Sequence, residues 1–359
     1  MKVLICIPNL ETRGGISSFY KTAQKYFSVD YIFFIRSDQR KGIKKYFNGS
    51  LKFYFFIKKI LNEEPSIIHI NTSFGFNSII RDSIYILLAK FLKIKVIVSF
   101  HGWIENLNVF SHWIAYILLK KVFFSVSCIT VLSKEKKDFL LKLGYNKNIY
   151  IISTIIDDEL FRYHNKQMIL SKIDKINFNE INILFLARIE MQKGIYEIIE
   201  AFKIILKENP KVKLNVAGDG SALSKVKNKT ANEKIDNINF LGYVEGKEKA
   251  EAFFKSHIYV LPSYTEGLPS SLLEAMGFGL PVLVTNVGGM SEIIIDEKSG
   301  YKIKIKDVND IINKFNELCS DLNKFKEISK YNFLYAKNNF IASKVIKQLE
   351  SIYYEQSKD

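Results

Sequence analysis

Short apolar runs alternate with longer amphipathic segments through the first half of the chain. The runs have the length of buried strands, and the longer segments have the apolar spacing of helices. The predicted strands are Lys2–Ile7, Tyr31–Ile35, Ile67–Asn71, Val96–Phe100, Ser127–Leu132 and Ile149–Ile152, and the predicted helices are Ile16–Phe27, Phe76–Leu92, Val109–Val122 and Lys134–Lys142. Continuous apolar strands separated by helices are typical of a parallel sheet covered on both faces.

The same alternation restarts after a polar, weakly patterned segment at 163–179. The predicted strands are Ile181–Ala187, Lys213–Ala217, Ile238–Leu241, Tyr259–Leu261 and Pro281–Thr285, with helices Ile195–Leu206, Lys247–Lys255 and Ser270–Met276 and a helical tail from Ile311 to Tyr354. A length of 359 residues also favours two domains, since about 150 residues is usual for one.

We therefore predict an α/β protein with two doubly wound, Rossmann-like domains facing a central cleft. The expected boundaries are an N-terminal domain at 1–165, a linker at 166–180, a C-terminal domain at 181–340, and a last helix at 341–359 that packs back on the first domain. In open α/β sheets, ligands bind beyond the carboxyl ends of the strands, so the functional side chains are expected there.

The positive charge is concentrated in the first half of the chain. The formal net charge is +15; residues 1–170 carry 25 Lys and Arg against 12 Asp and Glu, whereas residues 171–359 carry 27 against 25. The excess indicates an anionic partner for the N-terminal half, either a membrane surface, a phosphorylated substrate or nucleic acid.

One segment, 40–59, interleaves cations with aromatic residues. It contains Arg40, Lys41, Lys44, Lys45, Lys52, Lys58 and Lys59 among Tyr46, Phe47, Phe53, Tyr54, Phe55 and Phe56. This composition favours an anionic membrane interface. The alternative is a helix whose aromatic face joins the core while its lysines are solvated. Binding of single-stranded nucleic acid is a further alternative, but it leaves the acidic pair and paired cations described below unexplained.

Several features argue against secretion and against a membrane span. Cys6, Cys128 and Cys319 are isolated, as expected in a reducing compartment. The first residues resemble a strand and not a signal peptide, and Lys120 and Lys121 interrupt the longest apolar stretch. We expect a cytoplasmic protein attached peripherally to the inner face of the cell membrane.

The candidate chemistry starts from two acids, Glu266 and Glu274, with seven residues between them. Glu266 lies among Thr, Gly and Pro and should be in a loop, whereas Glu274 falls in the predicted helix Ser270–Met276. The N-terminus of that helix offers backbone N–H groups and a positive dipole end to an anionic ligand. Glu274 could then bind hydroxyl groups beside the anion.

Other candidates follow predicted strands. They are Gly14 and Gly15 in the loop that begins at Arg13, Arg188 with Lys193, Gly218 with Gly220, Gly288 with Gly289, and His101. Glycine lets a backbone approach a phosphate closely, and two cations five residues apart can converge on a diphosphate. Taken singly, each has an ordinary explanation as a turn, a solvated charge or a structural histidine.

Taken together, these motifs resemble the family 4 glycosyltransferases of GT-B fold, in order and spacing over nearly the whole chain. The resemblance implies that Glu274 holds the ribose hydroxyls of a nucleotide and that Glu266, Gly267 and Leu268 face the donor sugar and phosphate. It implies that Arg188 and Lys193 neutralise the diphosphate, with Gly218 also lining the donor site, and that Gly14, Gly15 and His101 complete it. His101, Arg188, Lys193 and Glu266 are the expected catalytic residues.

The resemblance also implies a reaction and a set of partners. The expected reaction moves a hexosyl or N-acetylhexosaminyl group from a nucleoside-diphosphate sugar, UDP first and GDP next, with retention of configuration and without a cofactor or metal. The expected acceptor is a saccharide linked to a polyprenyl diphosphate, for O-antigen, capsule or another bacterial surface glycan. An epimerase or a phosphorylase on the same scaffold is the alternative.

One segment departs from the family pattern. Residues 151–157 stand where relatives usually have a Pro-Asn-Gly turn, and Thr154 and Ile155 do not readily take a positive φ. The departure puts the turn between the domains in doubt and leaves the donor site unaffected.

Overall fold

The computed structural model describes residues 1–12, 14–36, 44–103 and 113–358; for residues 44–50 and Trp103 it describes the secondary structure and not the side chains. The chain forms two compact units, Met1–Ser153 with Ala342–Asp359, and Thr154–Ile341. Each unit contains one six-stranded sheet, and the strand pairs in both sheets are parallel. The predicted α/β class with two doubly wound sheets is confirmed.

The sheet of the first unit has the strand order β2-β1-β3-β4-β5-β6. Its strands are β1 Lys2–Ile7, β2 Asp30–Ile35, β3 Ile67–Phe74, β4 Lys95–Trp103, β5 Cys128–Val131 and β6 Ile149–Ile151. The helices between them are α1 Gly15–Ala23, α2 Lys44–Glu63, α3 Phe76–Phe91, α4 Trp113–Lys121 and α5 Lys134–Lys142. The order reverses between β1 and β3, which makes the carboxyl ends of these two strands the switch point of this sheet.

The second unit repeats this architecture with the strand order β12-β11-β10-β7-β8-β9. Its strands are β7 Ile181–Leu186, β8 Val212–Ala217, β9 Ile238–Gly242, β10 Ile258–Leu261, β11 Val282–Thr285 and β12 Gly300–Ile303. Its helices are α6 Lys166–Lys175, α7 Ile195–Glu208, α8 Leu223–Asn232, α9 Gly246–Lys255, α10 Ser270–Gly277, α11 Met290–Ile293, α12 Val308–Leu318 and α13 Leu322–Asn339. Here the order reverses between β7 and β10.

The chain then returns to the first unit as α14, Ala342–Lys358. The Glu350 carboxylate of this helix accepts hydrogen bonds from the backbone N–H of Val29 and from the hydroxyl of Ser28, at 2.9 and 2.7 Å. Tyr353 lies fully buried beside His69 of β3. The last helix is therefore part of the core of the first unit.

The two faces of the first sheet differ in chemistry. One face is apolar: alternate residues of β1, β3, β4 and β5 pack there with α2, α3, α4 and α5. The other carries buried polar groups, in which His69 contacts the Ser99 hydroxyl at 2.5 Å and the Tyr353 hydroxyl at 2.6 Å. Burial lowers the pKa of His69 to about 3, so this imidazole is neutral near pH 7.

Most predicted strands lie within a residue or two of their expected bounds, because each is a continuous apolar run. The differences occur where polarity hides an element. The segment 166–180, expected to be a linker, contains helix α6, whose Ile169 and Ile173 are buried, and the change of unit falls between Ser153 and Thr154. Helix α2 occupies part of the basic segment 40–59, while residues 37–43 lie outside the described part of the chain.

The departure at 151–157 is accommodated without left-handed backbone. None of these residues has a positive φ. Instead, the Thr154 hydroxyl donates to the carbonyl of Leu268 at 2.7 Å, and Ile156 N–H donates to the carbonyl of Phe340 at 2.8 Å. Asp157 caps the short 3-10 turn that follows.

Among the helices of the described residues, none is both long and apolar enough to cross a bilayer. The stretch from Val109 to Leu132, predicted as a helix followed by a buried strand, contains α4 and β5, although residues 109–112 are outside the described ranges. Cys6 and Cys128 are buried free thiols, and Cys319 is a partly buried one.

A buried ion pair joins the carboxyl edge of the first sheet to α3. The guanidinium of Arg36 donates to Asp82 and to the backbone carbonyl of Asn71, and Arg81 donates to both Asp82 oxygens at 2.7 and 2.8 Å. Burial alone would raise the pKa of Asp82, but the Arg36 and Arg81 charges hold this pKa below its usual value.

We predict that Asp82→Asn lowers the free energy of unfolding by about 3–5 kcal/mol, because it leaves the buried Arg36 charge without its counter-charge. Urea unfolding followed by circular dichroism measures the change. Asp174→Asn is the matched control, since Asp174 pairs with Lys330 on an exposed surface and its loss should leave the unfolding curve nearly unchanged. Equal losses in the two variants would contradict the assignment.

Candidate functional site

The candidate site of the second unit lies at its topological switch point. The loops that follow β7 and β10 carry Arg188, Lys193 and Glu266, and the loop after β11 carries Gly288. These loops leave neighbouring strands at the same edge of the sheet, because β10 pairs with both β7 and β11. A crevice at this edge is where doubly wound sheets bind ligands.

The three loops are bonded to one another through their backbones. The N–H of Tyr264 donates to the carbonyl of Gln192 at 2.9 Å, joining the β10 loop to the β7 loop. The N–H of Gly289 donates to the carbonyl of Gly267 at 2.6 Å, joining the β11 loop to the β10 loop. The Thr285 hydroxyl adds a bond to the carbonyl of Ser263 at 2.5 Å. The loops thus form one connected surface.

Gly194 and Gly288 make these close approaches possible, and Gly218, which follows β8, packs in the same way on the β7 loop. Gly194, Gly218 and Gly288 have φ of +74°, +137° and +53°, and a Cβ on each would lie within about 2 Å of a backbone oxygen: 2.2 Å from Pro262, 1.9 Å from Ala187 and 1.9 Å from Glu266. Any other residue would force the neighbouring loop away. The glycines at 194, 218 and 288 are therefore required by the protein itself, whether or not they contact a ligand.

Lys193 and Glu266 form an ion pair at the centre of this surface. Lys193 Nζ lies 2.5 Å from Glu266 Oε1, and both side chains are largely buried. The same carboxylate oxygen accepts a hydrogen bond from the Ser263 hydroxyl at 2.9 Å. The pair holds the Lys193 ammonium against the β10 loop, and Ser263 orients the carboxylate that holds it.

Arg188 is held differently. Its Nη1 lies 2.9 Å from Glu190 Oε1, and the side chain is 63% exposed. An ion pair this exposed contributes little to stability, so the guanidinium can reorient at small cost. The two cations expected to converge on a diphosphate therefore start from separate carboxylates, one buried and one at the surface.

Glu274 lies inside α10 and not in the β10 loop. Its Oε1 is 2.5 Å from Lys249 Nζ of α9, and the residue is buried. The second oxygen, Oε2, is buried, and no group of the described residues bonds to it. Buried acceptors are normally satisfied, so this atom is suited to accept a hydrogen bond from a bound ligand.

Tyr259 and Leu268 tie α10 and the β10 loop to their surroundings. The Tyr259 hydroxyl lies 2.7 Å from the Ser271 hydroxyl in the first turn of α10 and donates to the carbonyl of Leu186 at 3.2 Å. Leu268 is buried just before α10, and its carbonyl accepts from Thr154. These contacts fix the start of the helix relative to the end of β7.

The remaining candidates of this unit form a tight turn. Gly218 follows β8, and the carbonyl of Asp219 accepts from Ile189 N–H at 3.0 Å. A Cβ on Gly220 would lie 2.4 Å from the carbonyl oxygen of Ile189. The turn is packed on the Arg188 loop, so it supports that loop directly.

Gly14, Gly15 and His101 belong to the first unit. A Cβ on either glycine would meet nothing within 4 Å, and Gly14 has extended backbone with φ of 178°. Neither glycine is required by packing or by φ, and the start of α1 has no side-chain cap. Within the described part of the chain, nothing packs against these two glycines; Arg13 lies outside it.

His101 lies within β4, which runs beyond the strand end predicted at Phe100. Its Nε2 is 2.7 Å from Asn71 Oδ1, which also accepts from the Tyr20 hydroxyl at 2.9 Å. Because Oδ1 is an acceptor, the network assigns the imidazole proton to Nε2. Burial, followed by the charge of Arg36, lowers the pKa of His101 to about 4. Its part in donor binding stays a prediction.

The structure thus brings Lys193 and Glu266 into direct contact, and places Gly288 against the backbone of Glu266. Two partners of the acids were not predicted from the sequence: Ser263, which bonds Glu266, and Lys249, which bonds Glu274. Ser263, three residues before Glu266, had a local signal; Lys249 had none, since it looks like one of several charges on α9. Among the described residues, no group of three or more His, Cys, Asp or Glu is placed to hold a metal ion.

We predict that Gly288→Ala destabilises the second unit well beyond the left-handed strain of about 1–2 kcal/mol, because the carbonyl of Glu266 must also move. Gly246→Ala is the matched control, since Gly246 has the same φ of +53° and nothing within 4 Å of its Cβ. Urea unfolding compares the two. Similar losses would mean that the contact with the Glu266 backbone is unimportant.

Comparisons with known proteins agree with this geometry. The family described as "Glycosyl transferases group 1" matches residues 166–334, and "Glycosyltransferase Family 4" matches residues 25–160. A capsular polysaccharide biosynthesis glycosyltransferase of Staphylococcus aureus, CapM, is 24% identical over 256 residues, covering 70% of this chain and 67% of its own. An uncharacterised glycosyltransferase of Methanocaldococcus jannaschii is 29% identical over 274 residues, covering 74% and 69%.

Among solved structures, the Anabaena protein HepE in complex with UDP superposes with a TM-score of 0.77 at 15% identity, covering 99% of this chain and 100% of that one. HepE was also solved with UDP-glucose. The structural likeness shows the fold, and the two family matches together span most of the chain. The chain belongs to the family 4 glycosyltransferases, with the GT-B fold.

Proposed function

We propose that this protein transfers a hexosyl or N-acetylhexosaminyl group from a nucleoside-diphosphate sugar, UDP first and GDP next, to a saccharide acceptor. The acceptor is a sugar linked to a polyprenyl diphosphate, and the product belongs to a bacterial surface glycan such as capsule or O-antigen. The reaction retains anomeric configuration and uses no metal. The names of the relatives, including a capsular polysaccharide glycosyltransferase, support the class of product.

The observation that carries the donor site is the unsatisfied Oε2 of Glu274. A buried carboxylate oxygen with no partner needs a donor, and a ribose offers two adjacent hydroxyls. Lys249 already holds the other oxygen at 2.5 Å, so the carboxylate is oriented before a ligand arrives. A nucleotide held there by its ribose would have its phosphates near the neighbouring loops of the switch point.

Lys193 and Arg188 would then meet the diphosphate. The departing diphosphate gains negative charge as the bond from the sugar C1 to its oxygen breaks. A guanidinium and an ammonium stabilise that charge. Lys193 is held beforehand by Glu266, whose carboxylate is bonded by Ser263, whereas Arg188 is exposed and can turn toward the phosphates.

In the proposed reaction, one bond to the sugar C1 is exchanged for another. The bond between C1 and the phosphate oxygen breaks, a bond from C1 to an acceptor hydroxyl oxygen forms, and the hydroxyl proton passes to the departing phosphate. Attack on the face that the diphosphate leaves gives retention. The products are a nucleoside diphosphate and the glycoside.

The first test is a thermal shift against UDP-, GDP- and ADP-sugars. We predict that one nucleotide series, UDP first, raises the unfolding temperature strongly, since a ligand at 100 times its Kd adds about 2.7 kcal/mol. Transfer from the selected donor is then measured with EDTA present, and NMR gives the anomeric configuration of the product. No shift with any series would overturn the proposal, and an epimer formed from donor alone would favour the epimerase.

We predict that Glu274→Gln weakens binding of the selected nucleoside diphosphate about 10- to 100-fold, the loss expected for hydrogen bonds to a charged group. The 2′,3′-dideoxy nucleotide should bind the wild type about as weakly, and the variant should no longer distinguish the two. Calorimetry measures all four affinities.

The matched control for this experiment is Glu317→Gln, at an exposed ion pair with Lys314. It should retain wild-type affinity and the full distinction between the two nucleotides. A Glu274→Gln variant that still prefers the nucleotide with ribose hydroxyls, at an unchanged unfolding temperature, would remove the assigned role of Glu274.

A further inference from the structure

Exposed apolar side chains cover the outer surface of three neighbouring helices in the first unit. Helices α2, α3 and α4 pack on the same face of the sheet, and α3 contacts both of the others. We call these exposed side chains the outer apolar layer: Leu51, Tyr54, Phe55 and Leu61 of α2, Ile84, Leu87 and Phe91 of α3, and Trp113, Ile114 and Ile117 of α4. Together they form a patch and not a set of isolated residues.

The layer follows the helical period, so it is a face and not scatter. On α3, Ile84, Leu87 and Phe91 are three and four residues apart, and the opposite side of the helix enters the core. Phe91 is 84% exposed and Trp113 is 69% exposed. Single exposed apolar residues are ordinary, but a contiguous apolar patch marks an interaction site.

The charges in and around the layer are mainly positive; the exceptions are Glu63, which pairs with Lys2 at the end of α2, and the exposed Glu64 beside it. Helices α3 and α4 contain one carboxylate in their described residues, Asp82, and it is buried in its ion pair with Arg36. The exposed charges of these helices are Arg81, Lys90 and Lys121, and Lys58 lies on the outer face of α2. An apolar face bordered by cations, with an exposed Trp, is the composition of a helix that lies on an anionic bilayer.

We propose that the outer apolar layer is the surface with which this protein lies on an anionic lipid bilayer. Its apolar side chains enter the boundary between headgroups and acyl chains, and the lysines contact anionic headgroups. Charge alone would also favour an acidic protein partner or an acidic surface of a second copy. Charge attraction, however, does not explain why the aromatic and aliphatic residues are so exposed. The biological use of the surface rests on the proposed lipid-linked acceptor, while lipid binding itself does not.

The structure changes which residues carry the membrane hypothesis. Within the segment 40–59, Phe56 is buried and Phe53 packs against the core, so two of the four aromatic side chains that the structure describes there are internal. Tyr54 and Phe55 face outward. Helices α3 and α4, which the composition of that segment could not indicate, supply more than half of the layer.

The test is co-sedimentation of the full chain with vesicles of phosphatidylglycerol and phosphatidylcholine, and with phosphatidylcholine alone, at low salt. We predict binding to the anionic vesicles and at least about a tenfold lower partition coefficient for the double variant Leu87→Glu with Ile117→Glu. The matched control is Ile204→Glu with Leu334→Glu, two exposed apolar residues on α7 and α13 of the second unit. It should bind within about twofold of the wild type.

Trp113 gives a second measurement that does not depend on a destabilising variant. Its emission should shift to shorter wavelength with anionic vesicles and be quenched by brominated acyl chains. The chain has one other tryptophan, Trp103. Loss of both effects in Trp113→Phe assigns them to Trp113. Unfolding temperatures equal to the wild type show that the variants are folded.

Three outcomes would overturn the proposal: no pelleting of the wild type at low salt, undiminished pelleting of Leu87→Glu with Ile117→Glu, or unchanged Trp113 emission on bound vesicles. A dimer in lipid-free ultracentrifugation that this double variant dissociates, without vesicle binding by the wild type, would assign the layer to a second copy. Transfer to a water-soluble acceptor separates the two proposals. Vesicle binding without any transfer would refute only the proposed function.

Discussion

Backbone contact between the loops that end β7, β10 and β11 is the constraint on which the candidate site depends. Gly194 and Gly288 have positive φ and lie against the carbonyls of Pro262 and Glu266 at distances that exclude a Cβ. The loops are then joined by hydrogen bonds between main chains. Because the contacts are made by backbone, the side chains of Lys193 and Glu266 are left to face one another. The site is thus positioned by rigid elements and not by the side chains that do the chemistry.

Glu266 and Glu274 share one short stretch of sequence but occupy different environments, because one belongs to a loop and the other to a helix. Glu266 lies on the loop after β10 and is engaged by Lys193 of the β7 loop and by Ser263 of its own loop. Glu274 lies within a buried helix and is held on one side by Lys249. One carboxylate therefore positions a cation, and the other presents an unsatisfied oxygen. Their division of labour follows from the end of β10 and the start of α10 lying between them.

The first unit uses its sheet in another way. Its apolar face packs against α2 to α5, and the outer surfaces of α2, α3 and α4 carry the outer apolar layer. Its polar face carries the buried network of His69, Ser99 and Tyr353. Burial keeps His69 and His101 neutral near pH 7, so these histidines act as hydrogen-bonding groups and not as charges. Arg36 is buried in its ion pair with Asp82, whereas none of the lysines whose side chains the structure describes in this unit is buried.

The sequence determined the succession of strands and helices along the chain, the two doubly wound domains and the family, because apolar runs and Gly-rich loops are local signals. It also indicated Arg188, Lys193, Glu266 and Glu274, through their resemblance to the family. It did not indicate α6 or the outer faces of α3 and α4, since a half-buried helix with polar residues looks like a linker, and apolar residues of α3 look like core. Nor could it pair Glu274 with Lys249 or Lys193 with Glu266. Those contacts join residues far apart in the chain, and only the packing of the sheet decides which of its charges meet.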